Sequence, residues 1–292
     1  MMGEYLELET FLKGLRDSGK KVFYNQNGGN AGDALINVGF YTLAEKVGLR
    51  FDFLTGNIQD LDSDCVVLIA GGGTIVPEWS SVPDAIRCLI KTPVQIVVLP
   101  QSIKGHADLL SDLRSSDVVF LREKYSYDYC KSLNLSCQLF VDSDTAFHTD
   151  VGKLLSLNYT ASDIPLDNAK NVIRRFLYVY HLIRSKLFKT IQAFRCDKEA
   201  MGVKKRRLYN DLSLIAAYGG QSKERDYIQA FFFLKMIKSY QLIETDRLHV
   251  MVGSVLVGTS VRVYSNNYHK IKGVFEYSIS TSDAKDTVSW VE

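Results

Sequence analysis

Two residues within Glu244-Thr245-Asp246-Arg247-Leu248-His249 could do chemistry together. Arg247 offers a planar fork for a carboxylate or phosphate, and His249 an imidazole that gains or loses a proton near neutral pH. They stand where a strand hands over to a buried helix, so both could point into a cleft. Alternatively, Arg247 pairs with Asp246 or Glu244, and His249 is a satisfied core histidine. A second cation, Arg195, ends another strand in Arg195-Cys196-Asp197-Lys198-Glu199, beside two carboxylates. That grouping suits anion binding and proton transfer, and it is also an ordinary kind of surface cluster.

Glycine-rich loops could present backbone N–H groups to the same sort of ligand. Asn25-Gln26-Asn27-Gly28-Gly29-Asn30-Ala31-Gly32-Asp33 follows the first expected strand and precedes a helix, whose N-terminus favours negative charge. It is neither a Walker loop nor a proper GxGxxG fingerprint. The plainer alternative is a strand-to-helix turn with Asp33 as a first-turn acid. Gly71-Gly72-Gly73-Thr74 follows an apolar run, and three glycines there point to a close approach of backbone to a ligand or to a neighbouring helix.

Such loops act only if regular elements hold them. Val22–Tyr24, Cys65–Ala70, Ile96–Leu99, Val118–Leu121 and Leu139–Val141 are short runs rich in Val, Ile and Leu, expected as strands buried on both faces of a parallel sheet. Helices are expected between them at Ala34–Val47, Val82–Ile90, Ala107–Leu113 and Lys124–Leu133. This alternation is the pattern of a doubly wound α/β domain. The rhythm breaks near residues 150–165 and resumes more loosely. Later strands are expected at Thr190–Arg195, Asp211–Ala217, Gln241–Glu244 and Arg262–Ser265, with helices at Glu224–Lys238 and Leu248–Val257 and a last segment at Ile271–Tyr277. Two Rossmann-like halves, 1–155 and 156–292, would face each other across a cleft.

Between the halves, Asn168–Lys189 carries Ile173, Phe176, Leu177, Tyr180 and Leu187 near helical spacing. From Lys170 to Arg207 there are twelve lysines and arginines against two acids. That segment is either a solvated helix face with a basic loop at Lys204–Arg207, or a surface for anionic lipid headgroups or a lipid diphosphate.

Composition limits the function classes. A net charge of +2 on 292 residues does not mark a nucleic-acid binder. No apolar stretch approaches the roughly 18 residues of a spanning helix. Met1–Thr10 lacks a secretory pattern, so the expectation is a cytoplasmic protein, soluble or held at the inner membrane peripherally. The five cysteines, Cys65, Cys88, Cys130, Cys137 and Cys196, form no CxxC pair and are expected as ordinary thiols rather than disulfide or zinc ligands.

Taken in order, several segments resemble the polysaccharide pyruvyl transferase family. They are Gly29–Ile36, Ile69–Thr74, Leu99-Pro100-Gln101-Ser102, Arg122-Glu123 before Tyr125-Ser126, Asp142–Phe147, Arg195–Glu199 and Thr245–His249, with Asn266, Lys270 and Gly273 closing the series. The resemblance implies a fold like the two-domain GT-B glycosyltransferases, with the active site in the interdomain cleft. It implies phosphoenolpyruvate as donor, a sugar acceptor that is free or lipid-linked, a pyruvate ketal as product, and no further cofactor. Arg195, Arg247 and His249 correspond to donor-binding positions. The matching segments are expected to supply Leu248, Asn30, Gly32, Gly72, Gly73, Thr74, Gln101, Ser102, Glu199 and Lys270 to the substrates.

The chemistry suits those residues. Phosphoenolpyruvate carries a carboxylate and a phosphate, which need fixed cations on leaving water. Ketal formation needs a general acid and a general base; His249 is the first candidate, with Asp33 or Asp197 as the base. A nucleotide-sugar glycosyltransferase on the same scaffold is the competing reading, and a non-catalytic glycan- or membrane-binding protein a further one.

Overall fold

A computed structural model describes residues 6–56, 58–196, 208–264 and 269–291 of the chain. Asp197, Glu199, Lys204–Arg207 and Asn266 lie outside the described residues. The first half builds one sheet from β1 (Lys21–Asn25), β2 (Asp52–Phe53), β3 (Cys65–Ile69), β4 (Gly72–Ile75), β5 (Gln95–Ile103), β6 (Val118–Leu121) and β7 (Gln138–Val141). All pairs are parallel, in the order β2-β1-β3-β5-β6-β7, with β4 on the end of β5. Helices α1 (Leu8–Asp17), α2 (Ala31–Val47), α3 (Ser81–Ile90), α4 (Ala107–Ser111), α5 (Lys124–Ser132) and α6 (Val151–Ser156) accompany it.

The strand sequences explain why both faces are covered. Val66, Leu68, Val97, Leu99 and Phe120 pack in one apolar cluster with α1 and α2. Val67, Ile69, Ile96, Val98 and Leu121 pack in a second cluster with α3, α4 and α5. Successive residues point to opposite faces, so a continuous run of β-branched residues needs helices on both sides.

The second half contributes α7 (Ala169–Leu187), β8 (Thr190–Gln192), α8 (Leu212–Ile215), α9 (Lys223–Ser239), β9 (Leu242–Thr245), α10 (Leu248–Val257), β10 (Ser260–Tyr264), α11 (Lys270–Val274) and β11 (Val288–Val291). Its parallel sheet has four strands in the order β11-β10-β9-β8. The α/β reading therefore holds as two parallel sheets. The second differs from a doubly wound unit, because its strands are added in one direction only and its order never reverses.

Some elements depart from their sequence patterns. Asp211–Ala217, expected as a strand, opens instead as α8, because the Asp211 carboxylate caps it by accepting from Leu214 N at 3.4 Å. The last segment, expected at Ile271–Tyr277, is α11 continuing into a wide turn over Phe275–Ile279. Thr190–Arg195 keeps its strand only to Gln192.

Helix α9 keeps Lys235 and Lys238 at the surface and buries Phe231, Phe232, Phe233, Leu234 and Met236. It packs against α2, and a single apolar cluster runs from Leu8 and Tyr41 in the first half to Phe232, Val252 and Val261 in the second. Within this contact Asp226 accepts from the Tyr41 hydroxyl at 2.6 Å and from Asn37 Nδ2 at 3.0 Å. Burial pushes the Asp226 carboxyl up to about 7.

Candidate active site

The first sheet reverses its winding between β1 and β3, since β2 lies on one side and β5 on the other. Loops leaving the carboxyl ends of such strands diverge and leave a crevice. The loop after β1 is clamped at its base by Asn37, whose Nδ2 donates to the Asn27 carbonyl at 2.9 Å and whose Oδ1 accepts from the Asn27 N–H at 3.2 Å. Asn27 Nδ2 in turn donates to the Gly71 carbonyl at 2.6 Å, tying the loop to the one after β3.

Helix α2 then starts on a capping box. Asn30 Oδ1 accepts from Gly32 N and Asp33 Oδ2 from Asn30 N, both at 2.8 Å. A side chain at Gly29 would lie 2.0 Å from that Asp33 oxygen, so the reciprocal cap requires glycine. Asp33 lines the crevice, but its carboxylate is already engaged in starting the helix.

The triple-glycine segment is more regular than a loop. Gly72–Ile75 forms β4 beside β5, pairing Gly72 with Gln101 and Ile75 with Ile103. Gln101 and Ser102 are fully buried behind it. Gln101 Nε2 donates to the Ala70 carbonyl at 3.0 Å, and Ser102 Oγ accepts from Arg122 Nε at 2.8 Å. Both residues position the wall, and neither lines the cavity.

Arg122, at the end of β6, also donates from Nη1 to Asp144 Oδ2 at 2.6 Å. Asp144 is inaccessible to solvent, and its other oxygen accepts from Ala146 N at 2.9 Å. Burial alone would raise its carboxyl; the hydrogen bond from His249 and the charge of Arg122 overcome that and hold it well below the usual carboxylate range. Glu123 beside it caps α5 and faces His269, 3.7 Å from its Nε2.

Across the crevice, the second sheet delivers the other half of the site. Arg247 caps the start of α10 and donates from Nη2 to the buried Asp211 at 2.5 Å. Arg195 follows β8, and its backbone N–H donates to Asp246 Oδ1 at 2.7 Å. His249, on the first turn of α10, directs Nε2 toward Asp144 Oδ2 at 3.4 Å. A side chain at Gly32 would lie 2.6–2.7 Å from Nδ1, Cβ and Cγ of His249. Glycine at that position therefore lets α2 of one half approach α10 of the other. Arg247 thus pairs with Asp211, an acid 36 residues away in the sequence.

These groups line one cavity of about 610 Å³. Of the residues singled out in the sequence, Asn30, Asp33, Gly73, Thr74, Arg195, Arg247, Leu248, His249 and Lys270 line it. Gly32, Gly72, Gln101 and Ser102 stand behind the wall. Gly73 has a distinct role: a Cβ there would lie 2.6 Å from Cε and Nζ of Lys270 and 2.7 Å from Nη2 of Arg122. Bare backbone lets the two cations converge, and Lys270 Nζ donates to the Gly73 carbonyl at 3.3 Å.

Sequence reasoning missed Arg122 and Arg174 as lining cations, and Asp144 and Asp211 as their buried anchors or those of their neighbours. A cation directly after a fully apolar strand, as Arg122 is after Val118–Leu121, is the signal that could have found the first. Among the described residues, Arg122, Arg174, Arg195, Arg247 and Lys270 give the lining five cationic side chains against one carboxylate, Asp33. Such a site is built for a small ligand with several negative charges.

A family model described as polysaccharide pyruvyl transferase matches residues 30–268. Among solved structures, one described as the crystal structure of a functional uncharacterized protein, KP1_0663, from Klebsiella pneumoniae subsp. pneumoniae NTUH-K2044 is similar to this chain. The two share 25% identity and a TM-score of 0.73, over 97% of this chain and 96% of that one. No curated protein matches the sequence.

Proposed function

The chain belongs to the polysaccharide pyruvyl transferase family, and from that premise we propose that it builds a pyruvate ketal on a sugar with phosphoenolpyruvate as donor. The acceptor is a sugar of a cell-surface polysaccharide or of its lipid-linked precursor. The observation that carries the reading is the cavity lining, in which five cations surround a space that also holds a histidine paired with a buried aspartate. In this reading the halves divide near 155/156 and the arrangement is GT-B-like, with the donor between them.

Arg195, Arg247 and Lys270 take the carboxylate and phosphate of the donor, and Arg122 adds a guanidinium fixed by Asp144 and Ser102. A fixed donor set needs no rearrangement as charge develops, which favours the transition state. His249 protonates the methylene carbon, leaving positive character on the neighbouring carbon. One sugar hydroxyl adds there and gives its proton back to His249; the C–O bond to phosphate then breaks as the second hydroxyl closes the ring, and the phosphate carries off that hydroxyl's proton. Asp144 holds the imidazole in place and stabilises its protonated form, as a carboxylate behind a catalytic histidine does. Asp33, committed to the capping box, becomes a weaker choice of base than His249 itself after it has given up its proton.

The test is a thermal-shift titration followed by product analysis. Phosphoenolpyruvate should raise the melting temperature, and candidate lipid-linked sugars incubated with it should gain the mass of one ketal with release of phosphate. Stabilisation by nucleotide sugars and none by phosphoenolpyruvate would sink the proposal in favour of glycosyl transfer.

A further inference from the structure

Helix α7 is turned the opposite way to an ordinary surface helix. Its buried side carries Asn171, Tyr178, His181 and Ser185, whereas Ile173, Phe176, Tyr180, Ile183 and Leu187 are exposed. Phe176 is 71% and Leu187 74% exposed, values expected of lysines rather than of large apolar side chains. The intervals of three and four residues place all five in one stripe along the helix.

Specific bonds fix this orientation. Asn171 Nδ2 donates to the Tyr218 carbonyl at 2.8 Å; His181 bridges the Tyr240 hydroxyl at 2.8 Å and the Tyr209 carbonyl at 2.6 Å. Rolling the stripe inward would break these bonds and bury the cations beside it, so the stripe must find its cover outside the chain.

The flanks say what that cover is. Residues 169–189 contain six lysines and arginines and no acid. At about 100° per residue, Arg175 and Lys186 fall along one edge of the stripe and Lys170 and Arg184 along the other. Long cationic side chains bordering an apolar face suit a surface that is apolar below and negatively charged above. A second copy of the helix would bring cation against cation in either orientation, with no acid on the helix to alternate with them.

We propose that α7 lies in the headgroup plane of an anionic lipid bilayer, with its apolar stripe inserted and Lys170, Arg175 and Lys186 on the lipid phosphates. Arg174 leaves the same helix on the opposite side and reaches the cavity wall. One helix, about 10–12 Å across, then separates the cavity from the headgroups. An acceptor carried on a lipid would arrive at that distance. No helix among the described residues is long and apolar enough to cross a membrane, so the attachment is a surface one.

The test uses the full chain in flotation with phosphatidylglycerol or phosphatidylcholine vesicles, and does not depend on which reaction the cavity runs. The wild type should float with phosphatidylglycerol and not with phosphatidylcholine, less as salt rises. The pair Phe176→Asp/Ile183→Asp should reduce partitioning roughly 100-fold or more, with the melting temperature kept. Should that pair fail to fold, the surface set Lys170→Gln/Arg175→Gln/Lys186→Gln should weaken binding about fivefold per charge at low salt. Absence of the wild type from phosphatidylglycerol vesicles overturns the proposal. So does a concentration-dependent dimer abolished by the apolar pair when no vesicle binding is seen, which would assign the face to a second copy.

Discussion

Gly73→Ala tests the cation cluster at its most sensitive point. The backbone of Gly73 lies outside the left-handed region, so alanine brings no strain of its own there. Its methyl group would meet Cε and Nζ of Lys270 at 2.6 Å and Nη2 of Arg122 at 2.7 Å. Ordinary contact needs roughly 3.5 Å, so the end of Lys270 must retreat by about 0.9 Å and the Nη2 tip of Arg122 by about 0.8 Å. Arg122 is held through Nε and Nη1 by bonds of 2.8 Å to Ser102 and 2.6 Å to Asp144, so crowding at its Nη2 strains that buried network. Lys270 is the far end of a flexible chain with a long, 3.3 Å bond to the Gly73 carbonyl, and it should swing out of the cavity.

The expected loss is one charge-assisted hydrogen bond to the donor, about 1.5–3 kcal/mol. That corresponds to roughly 10- to 150-fold in affinity. Isothermal titration with phosphoenolpyruvate reads it directly, and the thermal midpoint without ligand should fall modestly because the methyl also crowds the fixed Arg122. Lys270→Gln should weaken binding similarly, and the double variant should add little, because both remove the same contact. Wild-type affinity in Gly73→Ala, or full additivity with Lys270→Gln, would refute the reasoning.

Other outcomes follow from the same network. His249→Ala should lower turnover by roughly 100-fold or more while the chain stays folded, read as phosphate release from phosphoenolpyruvate in the presence of acceptor. Asp144→Ala leaves Arg122 buried without its counter-charge and should cost about 3–5 kcal/mol in urea denaturation. Because the Asp144 carboxyl is depressed in the folded state, its stabilisation is complete above the ordinary carboxylate pKa of about 3.9 and is lost only as pH falls below it. Asp226 has the opposite sign: its folded pKa is raised to about 7, so its contribution is full below pH ~4 and fades as pH rises through 7. Asp226→Asn should therefore flatten the loss of stability between pH 5 and 8, measured as the urea midpoint against pH; an unchanged slope would exclude Asp226 as its source.

How much of this was readable without coordinates depends on what kind of signal each residue carries. The buried strands of the first sheet announce themselves as unbroken runs of Val, Ile and Leu, and α10 begins at Leu248 as its composition requires. Arg247 and His249 could be singled out because they sit at a strand-to-helix junction. Asp211 could not, since its partner is 36 residues away and its own neighbours, Leu212–Ile215, look like a strand. The capping power of one aspartate decided that segment, not its hydrophobicity. Arg174 shared a basic, apolar segment with Arg175, and only the buried polar side of α7 shows that the two point in different directions. The glycines at 71–73 were legible as a close approach, yet what approaches was not: Pro100 behind Gly71, and two cations in front of Gly73.

The continuous apolar interior joining α2 to α9 has a mechanical consequence. Lobes that meet through a wet, polar seam can swing like jaws; lobes fused through a shared greasy centre cannot part without exposing it. The space between them is then a fixed mould rather than a trap that snaps shut. With the proposed donor in that space, keeping bulk solvent from its enol would fall to the acceptor itself, which would act as the stopper.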